Sequence, residues 1–309
     1  MIDSFKKQLT FEPVVRRPLA TVAERIVIGG MGGSALAGEA FAYLLPESEI
    51  LVHRDYGLPK FSGSEAVYIA ISYSGTTEET LNFANEALSR GYPLAVVCAG
   101  GTLAEFAERE GLPLVLVPSG LQPRNASIYM VRALLALTQR KEELDALAHI
   151  SLAGTDIEEM VARDTEFVLE KLPVFYSSNR NMLLARAGRI MMNETARLPA
   201  ILNQFPELNH NEMQSFDAGL PENLEHLFAF FVIRDERDHP RITRRMEVFR
   251  LLMEERGRSV RIFDISTMSP EEALATTLLR FTLAARGVAT SRGNDPDTVP
   301  LIETFKKML

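Results

Sequence analysis

A parallel, doubly wound α/β fold is what this sequence predicts, on two observations. Short apolar runs of strand length alternate with amphipathic stretches of helical period through the first half of the chain, and the same alternation returns in the second half. Continuous apolar strands, each followed by a helix, belong to parallel sheets covered on both faces. Such a sheet binds ligands outside the carboxyl ends of its strands.

The first half begins with Ile26-Val-Ile-Gly-Gly30, followed by a helix pattern from Ala35 to Leu45. Ile50–His53 is a second strand. Val67–Ile71 is a third, followed by the helix Glu78–Arg90. Leu94–Cys98 leads into the helix Thr102–Glu110, and Leu114–Val117 into the helix Ser127–Gln139. The stretch Lys141–Asp156 is charged and carries no strand signal, so it sets the boundary between a domain over 1–150 and a domain over 151–309. In the second half, Val174–Ser177 is a strand that feeds a helix reaching Glu194. Leu227–Ile233, the helix Ile242–Glu255, the strand Val260–Phe263 and the helices Pro270–Arg286 and Leu301–Leu309 complete it. Two halves of similar order predict two copies of one fold.

The chain of 309 residues carries 41 Asp and Glu against 33 Lys and Arg, a net charge of −8. That balance argues against a nucleic-acid or anionic-membrane binder, since both need a positive field. One run is basic, with Arg241, Arg244, Arg245, Arg250, Arg256, Arg258 and Arg261. Glu247, Glu254 and Glu255 are interleaved with it, so it reads as a solvated helix face. The single cysteine, Cys98, sits in the apolar run LAVVC and reads as a buried small hydrophobe. No disulfide can form within the chain, which suits a reducing, cytoplasmic setting. The N-terminal MIDSFKKQLTFEP has no apolar core of a secretory signal, and no apolar run is long enough to span a bilayer. The histidines are scattered without close ligand pairing, so no metal site is expected.

Two loops follow strands and open helices. Gly29-Gly-Met-Gly-Gly-Ser34 lets the backbone approach a ligand closely, and amides at a helix start attract anions. Its spacing nearly fits a dinucleotide fingerprint, which would need an acid at the end of the second strand; Asp55 stands somewhat beyond that end. The second loop, Ser72-Tyr-Ser74-Gly-Thr-Thr77-Glu-Glu-Thr80, crowds hydroxyls onto a strand-to-helix turn. Hydroxyls and helix amides together cradle a phosphate without a cation. A capping box between Thr76 and Glu79 would account for one hydroxyl, not for Ser72 and Ser74 as well. No Gly-Lys-Ser/Thr ending marks a nucleoside-triphosphate loop.

The third feature is the stretch Ala187–Glu212. Met182, Leu183, Ala185, Ala187, Ile190 and Met191 share one helical face, and Pro199 ends or kinks that helix near Leu198. Glu194 therefore falls in the last turn, where the macrodipole disfavours a carboxylate, the direction a general base near neutrality needs. His210 follows sixteen residues on, in a polar, loop-like run. A base on a helix and a histidine on a loop would make a proton-transfer pair. Taken alone, such a glutamate is usually a solvated surface residue and such a histidine merely exposed.

GMGGSALAG followed by SYSGTTEET resembles sugar isomerase (SIS) domains, whose hydroxyl-rich loop binds the phosphate of a phosphosugar. NETARLP with ELNHNE narrows the resemblance to the bifunctional phosphoglucose/phosphomannose isomerase family, over nearly the whole chain. The resemblance implies two doubly wound SIS domains, the first with the phosphate loop and the second with the catalytic base. It places phosphate binding on Ser72, Ser74 and Thr77, with a glycine-serine contact at Gly33 and Ser34. It places an arginine beside the reacting atoms at Arg124, the base at Glu194, and a ring-opening histidine at His210. A lysine of the last helix falls on Lys306, with Lys307 as its neighbour, and Thr298 is the nearest loop threonine for accepting mannose. It also implies a homodimer in which His210 reaches the partner's active site.

Aldose–ketose isomerisation would use these groups directly. His210 suits opening of the sugar ring, since an imidazole can both donate and accept a proton. Glu194 would move a proton between C2 and C1, and Arg124 would hold the enediolate charge. The phosphate would keep the sugar in register, and no cofactor is needed. A non-catalytic phosphosugar sensor would explain the hydroxyl loop equally well, but would leave Glu194, His210 and Arg124 without a task. An amino-sugar isomerase is the nearer alternative, although the chain shows neither a glutaminase domain nor an N-terminal catalytic cysteine.

Overall fold

A computed structural model describes residues 1–19, 24–60, 62–152, 157–217, 224 and 226–308. Asp156, at the end of the charged stretch, and Leu309, the last residue of the expected final helix, lie outside the described residues. The chain divides into two units, Met1–Ser151 and Leu152–Leu309.

The first unit runs α1 (Ile2–Leu9), β1 (Val15–Arg16), β2 (Arg25–Gly29), α2 (Gly32–Leu44), β3 (Glu49–His53), β4 (Val67–Ser72) and α3 (Glu78–Ser89). It continues through β5 (Leu94–Cys98), α4 (Gly101–Arg109), β6 (Leu114–Leu116), a 3-10 turn (Pro123–Ala126), α5 (Ser127–Leu137) and α6 (Lys141–Ala148). The strand order is β1-β6-β5-β4-β2-β3, parallel throughout except for β1. Every residue of β4 and β5 is buried, because both faces of these central strands are covered. Tyr68, Val96, Phe83, Leu103 and Phe106 form the core beneath α3 and α4. The chain leaves β2 towards β3 on one side and returns to β4 on the other, so the order reverses between β2 and β4. That is where an open α/β sheet takes its ligand.

Neither α1 nor β1 is evident from the sequence. The helix is short and is fixed by burying Phe5 and Leu9, with the Gln8 amide donating to the Asn125 carbonyl at 2.7 Å. The strand is two residues of antiparallel edge, held by Arg16 and Arg17 on Glu108 at 2.7 Å each.

The second unit runs α7 (Ile157–Val168), β7 (Leu172–Ser178), α8 (Met182–Glu194), β8 (Ile201–Phe205), two 3-10 turns (Glu207–His210 and Glu212–Phe216) and β9 (Phe228–Arg234). It ends with α9 (Pro240–Glu255), β10 (Ser259–Asp264), α10 (Pro270–Ser291) and α11 (Pro300–Met308). Its four strands are parallel, in the order β10-β9-β7-β8. Phe175 stacks on Phe231 at 5.2 Å, and Phe281 of α10 packs edge-on against both. On the other face Tyr176, Phe205, Phe230 and Phe249 form a second core with Leu208 and Phe216 of the 3-10 turns. Buried Asp164 of α7 accepts from Arg261 Nη1 at 2.6 Å and from Nε and Nη2 of Arg280, tying α7, β10 and α10 together.

Two sequence expectations change here. The halves share the β-α-β start and the reversal of strand order, but one sheet has six strands and the other four, so they are not equal copies. His210 stands in a 3-10 turn, not a loop, because the chain between Pro199 and His210 forms an additional edge strand, β8, paired along β7. The last helix, α11, buries none of its residues: Leu301 and Met308 are each 82% exposed. Among the described residues, no helix is long and apolar enough to cross a membrane.

Candidate functional site

Both loops singled out by sequence stand at the β2/β4 reversal. Ser72 is the last residue of β4 and is buried. Its hydroxyl lies 2.9 Å from Thr77 Oγ1 and 3.5 Å from Ser74 Oγ, and accepts the Gly75 amide at 3.1 Å. Ser74 is exposed; its hydroxyl accepts both the amide and the hydroxyl of Thr76, at 3.3 and 3.2 Å. Helix α3 starts at Glu78, and Thr77 at its N-cap makes no side-chain capping bond. The capping box considered for Thr76 and Glu79 is thus not formed. The hydroxyls bond to one another around the turn, leaving the first-turn amides without a side-chain cap. Gly75 makes the turn possible: at φ +70° it lies so close to the next loop that a methyl group there would sit 1.8 Å from the Gly100 carbonyl oxygen.

The glycine loop is fastened to this turn. Ser34, buried in the first turn of α2, accepts the Tyr73 amide on its hydroxyl at 3.0 Å. Tyr73 in turn donates its phenol to the Pro118 carbonyl at 2.9 Å and accepts the Leu121 amide at 3.0 Å, fixing the segment that leads to Arg124. Burial raises the Tyr73 phenol above its ordinary pKa, which keeps it a neutral donor. Gly33 closes the third side: a methyl group on it would meet the Arg124 amide nitrogen at 2.5 Å and the Pro123 carbonyl carbon at 2.6 Å. Arg124 is almost wholly buried and donates to Gln122 Oε1 at 3.5 Å. Gly33, Ser34, Ser72, Ser74, Thr77 and Arg124 therefore belong to one constellation. Asp55, the acid weighed for a dinucleotide fingerprint, lies beyond the end of β3, and its carboxylate accepts the Tyr56 amide at 2.8 Å.

In the second unit Glu194 is the last residue of α8 and is half-buried. The helix stops because Arg197 takes up φ +53°, a left-handed conformation uncommon for any residue but glycine. Arg197 reaches across to Asn294 Oδ1 at 3.2 Å, the Asp295 carbonyl at 3.1 Å and Thr298 Oγ1 at 2.8 Å. This clamp sets the end of α8 beside the start of α11. Glu194 consequently lines a groove of about 490 Å³ with Asn193, Leu198, Val299, Pro300 and Ile302. Lys306 is exposed and follows Ile302 by four residues, so it projects from the helix side that carries Ile302; Lys307 does not.

The ELNHNE segment divides its labour. Glu212 is held by the Tyr176 phenol and by Asn203 Nδ2 at 2.5 Å, while Asn211 bonds Glu207 Oε1 at 2.7 Å. Leu208 is buried in the core. These contacts fold the turn and leave the His210 ring exposed, with no hydrogen bond among the described residues. It borders a groove of about 370 Å³ with Asn209, Met213, Gln214 and Arg256, none of which lines the Glu194 groove.

Glu194 and His210 are not brought together within the unit. Helix α8 crosses back between parallel strands β7 and β8, so its C-terminus lies at the amino ends of the strands. His210 follows the carboxyl end of β8. The five residues of β8 alone separate the two edges by roughly 16 Å. A direct proton-transfer pair in one unit is excluded by this topology, which corrects the sequence expectation.

Tyr73 and Arg197 are the two residues sequence reasoning passes over. The first lies between two conspicuous serines; the only signal for the second is its place just before the helix-stopping Pro199. Cys98 is fully buried and its thiol is pushed up to about 11 by burial, so it offers no nucleophile. Among the described residues no group of His, Cys, Asp and Glu is arranged to hold a metal ion.

Comparison with known proteins shows the family and the fold. Residues 159–309 match the model of the bacterial phospho-glucose isomerase C-terminal SIS domain. The bifunctional phosphoglucose/phosphomannose isomerase of Caldicellulosiruptor bescii is 31% identical over 307 residues, covering 93% of this chain and 89% of that protein. The D-glucosamine-6-phosphate 4-epimerase of Sulfolobus acidocaldarius is 32% identical over 67% of this chain and 70% of its own length. In fold, the C-terminal domain of glucosamine-fructose-6-phosphate aminotransferase from Francisella tularensis superposes with a TM-score of 0.68 at 13% identity, covering 96% of this chain and 95% of that one. With relatives of this identity along most of its length, and with two parallel α/β sheets of the sugar isomerase kind, the chain belongs to the bifunctional phosphoglucose/phosphomannose isomerase family of phosphosugar isomerases.

Proposed function

We propose that this protein interconverts glucose 6-phosphate, and also mannose 6-phosphate, with fructose 6-phosphate through a cis-enediolate. The observation that carries the reading is the bonded hydroxyl turn of Ser72, Ser74 and Thr77, set at the β2/β4 reversal before an uncapped helix start. Such a turn suits a dianionic phosphate ester. In this reading the first unit holds the phosphate and the second carries the base.

The remaining groups then have defined work. With the phosphate fixed, the open-chain sugar presents C1 and C2 to a base. The Glu194 carboxylate takes the C2 proton and returns it to C1, while the proton of the C2 hydroxyl ends on O1. Arg124, always protonated, stabilises the enediolate between these steps. His210 donates to the ring oxygen as the cyclic sugar opens, with Lys306 assisting. Glucose and mannose 6-phosphates differ only at C2 and give the same enediolate, so one base serves both. The separation of Glu194 from His210 supports a homodimer in which each His210 completes the partner's site. Catalysis occurs in the cytoplasm, where sugar phosphates are held.

The similarity to a glucosamine-6-phosphate epimerase favours a second reading, in which an amino sugar phosphate is the substrate. A coupled assay of fructose 6-phosphate formation from glucose 6-phosphate and from mannose 6-phosphate, run beside glucosamine 6-phosphate turnover, separates the two. Conversion of both hexose phosphates is expected. Turnover of the amino sugar alone would overturn the proposal.

A further inference from the structure

The basic run that the sequence presents as a solvated helix face does not behave as one unit. Arg250 is bracketed by Glu247 and Glu254 at 2.7 and 2.5 Å, Arg256 pairs with Asp217 at 3.2 Å, and Arg261 with Asp164 at 2.6 Å. Arg241, Arg244 and Arg245 are different. None of the three has a carboxylate within ion-pair reach among the described residues, and Glu247, the nearest acid along the helix, is taken by Arg250. All three are exposed, and together they line a groove of about 320 Å³ with Asn209, Met213 and Phe249.

This arrangement works against the helix that carries it. Three like charges in the first turns of α9 repel one another, and the macrodipole at that end disfavours cations. Among the described residues the one acid that feels the charge of Arg244 is Glu247, and its carboxylate is taken by Arg250 rather than paired to the three arginines. The groove volume is that of a small-molecule site. Guanidinium groups grouped without an ion-paired carboxylate are the side chains that best match phosphate oxygens.

We infer that the Arg241–Arg244–Arg245 groove is an anion site for a small molecule bearing two phosphates, or a phosphate and a carboxylate. Three guanidinium charges match such a ligand better than a monophosphate. Arg245 also donates to Asn209 Oδ1 at 3.3 Å, and Asn209 adjoins His210. An anion that engages Arg245 competes with that bond and so reaches the turn presenting the histidine. This consequence rests on the isomerase reading; the binding itself does not.

Isothermal titration calorimetry with pyrophosphate as the probe tests the site without using isomerase activity. Three proteins are compared with wild type: Ser74→Ala/Thr77→Ala, Arg241→Gln/Arg244→Gln/Arg245→Gln, and Arg244→Gln alone as a milder change should the triple variant fold poorly. Expected are a pyrophosphate site retained within twofold in the hydroxyl variant, a weakening of at least tenfold in the triple variant, and about threefold or more in the single one. Three results overturn the inference. These are loss of all pyrophosphate binding in the hydroxyl variant, unchanged binding in both arginine variants, and no saturable binding to wild type at millimolar probe.

Discussion

Gly33 and Arg124 meet backbone to backbone, with room for no more than a hydrogen: a methyl group on Gly33 would stand 2.5 Å from the Arg124 amide nitrogen and 2.8 Å from its Cα. The obstacle is main chain, so no side-chain rotation relieves it. Gly33→Ala must push the Pro123–Ala126 turn away and carry the buried guanidinium with it. Such overpacking costs about 1–3 kcal/mol. A lowered urea midpoint together with a fall in kcat/KM is expected. Unchanged stability and turnover would show that Arg124 is not positioned by this contact.

The hydroxyl turn should act on binding more than on chemistry. Hydrogen bonds to a charged group are worth about 1.5–3 kcal/mol each. Removing two of them, Ser74→Ala/Thr77→Ala should therefore raise KM for the hexose phosphate by roughly a hundredfold or more, with a smaller change in kcat. Steady-state kinetics decide it, and an unaltered KM would reduce the turn to a local structural device.

Asp164 anchors the second unit rather than its chemistry. Its carboxylate is fully buried and faces Arg261 and Arg280, whose side chains are 28% and 8% exposed. Asp164→Asn leaves a buried guanidinium without its counter-charge, which costs about 3–5 kcal/mol. Chemical denaturation should show that loss. A change below about 1 kcal/mol would mean that the two arginines find other partners or water.

Much of this architecture is legible in the sequence because it is written locally. The apolar runs of β4 and β5, the glycines before α2 and the surplus of hydroxyls after β4 each carry their meaning within a few residues. What escapes depends on tertiary partners. Arg197 in a left-handed conformation and Tyr73 as a staple between two loops look unremarkable until their partners are known. The costliest omission is β8. Ile201-Leu-Asn-Gln-Phe205 mixes apolar and polar residues on a half-buried edge, so it gives neither a clean alternation nor an apolar run. Without it, the stretch from Pro199 to His210 reads as one loop, and Glu194 and His210 look like neighbours. With it, they stand at opposite ends of the strands.

In the proposed dimer this separation has a use: each subunit would supply its Glu194 to one site and its His210 to the other. Subunit exchange between Glu194→Gln and His210→Ala proteins measures it directly. Each variant alone should be nearly inactive. A mixed dimer would hold one site with both lesions and one with neither. Random pairing makes half of the dimers mixed, and each of these has one intact site of two, so activity should recover to about a quarter of wild type. Verified exchange without recovery would contradict the account and return His210 to its own subunit, or remove it from the site.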